Sequence, residues 1–129
     1  MLATKSLVAL ALTAATLAAP NVRRQLEEGA TCAYVVTPSS SAEGINLTEE
    51  LNFIVGFEIA VESGSPIFNG GLTPVANADG SYTATGTISA EDLTSDELKD
   101  LVIAWPGKAL QGLPKNGPLT WTVDDVTCD

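Results

Sequence analysis

The chain has no histidine, two cysteines, one methionine and, across 129 residues, three phenylalanines, two tyrosines and two tryptophans. Without histidine there is no histidine-assisted serine or cysteine nucleophile, which removes many hydrolase mechanisms. Two cysteines and no histidine also leave little for a structural zinc site. So few aromatic side chains give little material for the deep sugar groove that a carboxylate-pair glycosidase requires. Positive charge is the other scarcity: six basic residues face 16 acidic ones, a formal charge of −10.

Three of those basic residues, Lys5, Arg23 and Arg24, stand at the start of the chain. Lys5 closes a weakly basic opening, and Ser6 to Leu17 follow as an uncharged, mostly apolar run, the order of an n-region and an h-region. The run is far shorter than the roughly 20 apolar residues that span a bilayer, and small residues follow it, so cleavage is expected rather than anchoring. Residues 1–18 read as a signal peptide cut after Ala18; a cut after Ala19 is the alternative, but it would set Pro20 directly behind the scissile bond. Residues 19–24 then form a short propeptide ending at Arg23-Arg24, the only arginines of the chain and a dibasic processing site. A merely charged linker is the plainer reading of the same pair.

Trimming there leaves one domain, residues 25–129. It keeps Lys99, Lys108 and Lys115 against all 16 acidic residues, a formal charge of −13. Such a surface repels phosphate backbones and anionic headgroups, so neither nucleic acid nor a membrane surface is expected as a partner. Solubility outside the cell explains the charge by itself. Export makes a disulfide between Cys32 and Cys128 the default. It would close nearly the whole domain, a loop for which chain entropy gives roughly 4 to 5 kcal/mol.

Within the domain, Cys32 to Thr37 predicts a strand that is apolar on both faces, as expected of one buried on both sides or central in its sheet. Asn46 with Glu49 three residues on resembles a capping box. The helix behind it presents Leu51, Ile54, Val55, Phe57, Ile59 and Val61 on a broad apolar face, with Glu50, Glu58 and Glu62 on its acidic side, and stops at Ser63-Gly64-Ser65-Pro66. Ile67 and Phe68 lead through Asn69-Gly70-Gly71 into a short strand, Leu72 to Ala76. Asn77-Ala78-Asp79-Gly80 turns the chain into Ser81 to Ser89, where Tyr82, Ala84 and Ile88 alternate with Thr83, Thr85 and Thr87. A second helix opens at Thr94, with Glu97 completing its box, and places Leu98, Leu101, Val102 and Trp105 at helical spacing before Pro106-Gly107. A glycine- and proline-rich connection runs from Gly107 to Pro118. In the last strand Leu119, Trp121 and Val123 share a face, and Asp124-Asp125 shifts the phase to Val126 and Cys128, the mark of a bulge.

The order strand, helix, strand, strand, helix, strand predicts an α+β fold: a ferredoxin-like βαββαβ sandwich, a four-stranded antiparallel sheet with two helices on one face. In that fold the first and last strands are antiparallel neighbours, which brings Cys32 and Cys128 to the same end.

Candidate chemistry is sparse. Glu58 with Glu62, and Asp96 with Asp100, fall on one helix face at a separation of four, yet exposed helix carboxylates are usually just solvated. Asn77 to Ser81 has part of a calcium loop, but Gly86 stands where the closing acid belongs. Asp124, Asp125 and Asp129 could gather a cation only weakly. Trp105 and Trp121 fit the core. Thr83, Thr85 and Thr87 suit a solvated sheet face, which favours a monomer over an obligate dimer. Asn46-Leu47-Thr48 is a glycosylation sequon, although Asn46 equally suits a helix cap. No catalytic residue, cofactor or metal site is expected.

The leader, Val22-Arg23-Arg24, Thr31 to Pro38, Leu51 to Gly56, Ile67 to Gly71, Asn77 to Thr83 and Val126-Thr127-Cys128 together resemble the small secreted proteins of fungi. That resemblance spans most of the domain and implies a secreted, extracellular, effector-like protein, with no catalytic residues to carry over. Effector-like killer toxins of fungi share the α/β pattern but carry more cysteines. The expectation is a secreted, non-catalytic acidic protein that binds an extracellular protein or a cell-wall component. A protease inhibitor of ferredoxin-like fold is the alternative, although Cys128 would pin the tail such an inhibitor inserts. A carboxylate-dependent hydrolase comes third.

Overall fold

The computed structural model describes residues 29–129. The signal-peptide and propeptide assignments, and the processing pair Arg23 and Arg24, lie outside the described residues.

The chain folds as α+β. In order it forms β1 (Ala30–Pro38), α1 (Leu47–Ser63), β2 (Ile67–Ala76), β3 (Tyr82–Ala90), α2 (Ser95–Ile103), β4 (Ala109–Gln111), a 3-10 turn (Pro114–Asn116) and β5 (Thr120–Cys128). The sheet order is β2-β3-β1-β5-β4, with every neighbouring pair antiparallel. The four-stranded ferredoxin-like sheet is thus corrected to five strands. The fifth, β4, arises inside the Gly107–Pro118 connection, where three residues pair with Thr120 to Thr122 of β5.

β1 is central, between β3 and β5, and its alternate residues Ala30, Cys32, Tyr34 and Val36 are buried. Into that face pack Leu51, Ile54, Val55 and Ile59 of α1, Leu98 and Val102 of α2, and Trp121 and Val123 of β5. The opposite face carries Thr31, Thr83, Thr85 and Thr87, with the Thr31 and Thr87 hydroxyls 2.6 Å apart. Cys32 lies opposite Cys128 in the ladder, and the two form a disulfide. The shift of register falls where expected: Val35 faces Asp125 and Val36 faces Val123, so Asp124 is the extra residue of a bulge.

Local chemistry explains the element ends. Asn46 caps α1 by accepting from the Glu49 N–H at 3.1 Å, but the Glu49 carboxylate turns to Lys115, 2.7 Å away, so only half a box forms. At α2 both halves form, Thr94 and Glu97 each accepting from the other's backbone. That helix ends at Ile103, and Trp105 lies just beyond it with its N–H on the Val102 carbonyl. β2 begins at Ile67, earlier than Leu72, because the Asn69–Leu72 stretch is a bulge within the strand and not a lead-in. The bulge needs Gly86 opposite it: a Cβ there would run into the Gly71 carbonyl and approach the Leu72 side chain to 2.8 Å.

The sheet curls around α1, which touches strands at both ends of it. On one side Asn52 meets Leu72 of β2; on the other Glu50 meets Trp121 of β5 and the chain just after β4. This overturns the placement of Glu50 on the acidic side of the helix, since it is fully buried. Phe57 and Val61, expected in the core, are instead 55% and 58% exposed.

Candidate functional site

Between α1 and β4 lies an open groove of about 230 Å³, lined by Phe53, Ile54, Phe57 and Glu58 from the helix and by Leu110, Gln111, Gly112 and Pro114 from the strand and the chain after it. Phe53 and Phe57, one helical turn apart, stack with ring centres 5.3 Å apart. Leu110 is buried, whereas Ala109 and Gln111 on either side of it are exposed.

One buried carboxylate holds the β4 wall in place. Oε1 of Glu50 accepts from the Leu113 N–H at 3.1 Å and from Asn116 Nδ2 at 2.6 Å, and Oε2 accepts from the Trp121 indole at 2.8 Å. Buried polar groups need such partners, and here one side chain satisfies three donors from the chain after β4 and from β5. Gly112 is obligatory for this arrangement, because a Cβ would overlap Glu50 Oε2 and come within 3.0 Å of the Leu119 carbonyl.

At the groove's rim Glu58 and Glu62 share one cation. Lys108 Nζ stands 3.2 Å from Glu58 and 2.9 Å from Glu62, and the Trp105 indole donates to Glu62 at 3.0 Å. Partial burial and the hydrogen bond shared with Glu62 raise Glu58 above the usual glutamate range, against the pull of Lys108. Partial burial works the same way on Glu62, but the Trp105 indole, Glu58 and Lys108 outweigh it and hold Glu62 below that range. Lys108 is raised in turn by the two carboxylates. Two carboxylates against one ammonium leave the rim net negative. Their oxygens serve an ion-pair network, whereas Asp96 and Asp100 are exposed on α2, away from the groove.

The other candidates fall elsewhere. Asn46 is exposed and acts as the α1 cap; Thr48 of its sequon is exposed as well, and Leu47 between them is half-buried. The Asn77–Ser81 turn is closed by Asp79, which accepts from the Ser81 hydroxyl at 2.6 Å and its N–H at 3.0 Å; these bonds lower the Asp79 carboxyl. Asp124 accepts from Thr37, and among the described residues no group of three or more acidic or cysteine side chains is placed to hold a metal ion. Trp105 and Trp121 are buried, as expected. Tyr34 packs on Trp105 with its hydroxyl buried and without a hydrogen-bond partner among the described residues, and burial pushes its phenol well above the ordinary value.

The sequence reading missed Glu50, Phe53 and Gln111 as parts of one site. A signal for Glu50 was present, since it stands one turn before Ile54 and beside Leu51, on the face that turns inward. Comparison with protein-family models, with curated proteins and with solved structures finds no match to this chain.

Proposed function

We propose that this chain is an exported, non-catalytic binding protein that acts outside the cell and takes its partner in the groove between α1 and β4. The observation that carries the reading is Phe57, an aromatic side chain left 55% exposed on the groove wall and stacked on a second ring. Half-exposed aromatics around a concavity are the usual anchors of recognition. The secretory leader and the Cys32–Cys128 bridge support the extracellular setting. The resemblance to small secreted fungal proteins supports an effector-like role, with a host protein or a cell-wall component as the target.

The test is saturable binding of the purified chain to fractionated extracellular and cell-wall extracts, with Phe57→Asp as the control. Phe57 is exposed, so the variant is expected to keep its melting temperature and lose the binding. Binding that survives unchanged in Phe57→Asp removes the groove as the site.

A further inference from the structure

Resting on that groove reading, we propose that the occupant is an extended, cationic segment of a partner protein, which adds to β4 as a sixth strand with a bulky apolar side chain over Phe53 and Phe57 and a lysine or arginine at Glu58.

The backbone of β4 is the first ground. Bonds on its inner side run from Val123 N–H to the Lys108 carbonyl at 2.8 Å and from Gly112 N–H to the Leu119 carbonyl at 2.9 Å, with Leu110 opposite Trp121 between them. Inward-facing groups therefore recur at 108, 110 and 112, and the alternation of an antiparallel ladder turns the N–H and C=O of Ala109 and Gln111 outward. β4 ends the sheet, so a sixth strand can pair there.

Position supplies the second ground. The groove lies between this edge and α1, so a strand added to β4 would face the helix with every second side chain. Those side chains would meet Phe53, Phe57 and Leu110, which with Ile54 and Pro114 form the apolar part of the lining. The opposite edge offers nothing comparable. At β2 the Asn52 side chain already takes the Leu72 N–H at 2.8 Å and donates to the Leu72 carbonyl at 3.0 Å, and Pro74 has no N–H to give.

Charge selects among peptides. Among the described residues Glu58 is the one charged side chain in the lining, and with Glu62 it outnumbers Lys108. Residues 25–129 carry Lys99, Lys108 and Lys115 against 16 acids, so an acidic segment is repelled and a basic one is drawn in. Because β4 has only three residues, the added pairing is short, and the apolar contact must supply much of the affinity.

The experiment is selection of a random peptide display library on the purified full chain, with an array of cell-wall oligosaccharides run in parallel. Enriched peptides are expected to carry a lysine or arginine two positions from an aromatic or large aliphatic residue, the spacing that puts both on one side of a strand. For a synthetic peptide of the enriched sequence, Phe57→Ala should weaken binding about tenfold or more, as for an anchor residue. Gln111→Pro should do the same, because it removes an outward N–H; it also removes the Gln111 amide's bond to the Leu119 carbonyl, so the comparison is made with Gln111→Ala, which loses that bond and keeps the N–H. Glu58→Lys should invert the preference toward acidic peptides. Methylating alternate backbone amides of the peptide tests the pairing on the unaltered protein, and one of the two methylation phases should abolish binding. Peptides that need Phe57 yet tolerate both methylation phases overturn the added strand and leave the groove as a binding site. So does an oligosaccharide that binds in a Phe57-dependent way where no peptide does. Enriched ligands indifferent to Phe57→Ala overturn both the strand and the groove.

Discussion

β2 and β4 are the two ends of one sheet, and both lie against α1, yet they are finished in opposite ways. β2 is ten residues long and is sealed: Asn52 occupies the backbone of Leu72, Pro74 withholds a donor, and a bulge breaks the register. β4 is three residues long, has no such cover among the described residues, and borders an apolar groove. Long free edges invite unwanted pairing, and proteins blunt them by the means seen at β2. Among the described residues, brevity alone protects β4. The contrast shows where this fold excludes another strand and where it leaves room for one.

The largest expected effect comes from removing the anchor of the open edge. Glu50→Ala deprives the Leu113 N–H, the Asn116 amide and the Trp121 indole of their acceptor and should lower stability by about 3 kcal/mol. Glu50→Gln should cost less but not nothing, because its amide nitrogen must point at one of three donors. Urea unfolding gives the totals. Hydrogen exchange should show β4 losing protection before β2, and equal loss at both ends would mean that Glu50 serves the whole core rather than one edge.

Unsealing the closed edge comes next. Asn52→Ala leaves the Leu72 N–H and carbonyl free, at a cost of about 1 to 2 kcal/mol. It should also introduce concentration-dependent self-association, visible by sedimentation, through the newly exposed strand. A variant that is destabilised but strictly monomeric would show that Pro74 and the bulge suffice to close β2.

The smallest effect is at the rim. Glu58 is raised, so its contribution to stability is present at low pH and declines as pH rises through its folded value. Glu62 is lowered, so its contribution is present above the ordinary glutamate range and is lost as pH falls through its folded value. Both side chains lie at the surface and are only partly buried, so solvent screening keeps either contribution small. Lys108→Gln removes the shared cation and leaves two carboxylates to repel each other at neutral pH. A deficit under about 1 kcal/mol at pH 7 is expected, shrinking as the pH falls below the glutamate range. Thermal melts across that range would show it, and a deficit independent of pH would assign Lys108 a packing role instead.

Much of the frame was legible in the chain. The doubly apolar Cys32–Thr37 segment announced a strand either buried on both sides or central, and it is central; the Thr94–Glu97 pair announced a helix start and the two aspartates a bulge, while of the β3 threonines Thr85 is exposed and Thr83 and Thr87 are half-buried. What escaped has a common cause. Ala109-Leu110-Gln111 is too short to show alternation and sits between Gly107 and Gly112, so only its pairing with β5 and the grip of Glu50 make it a strand. Glu50 looked like one more helix acid because its three donors lie 63 to 71 positions away. Phe57 and Val61 looked like core because the apolar face of α1 is wider than the surface the sheet offers it. The groove is the remainder of that mismatch.

The bridge between Cys32 and Cys128 spans 96 positions and ties β1 to β5. A single protease cut anywhere inside that span releases nothing, because the pieces stay covalently joined. A pull applied to the two ends of the domain is likewise carried by sulfur, and the hydrogen-bonded ladders between them stay unloaded. The domain can therefore be nicked once or tugged without its two terminal strands coming apart.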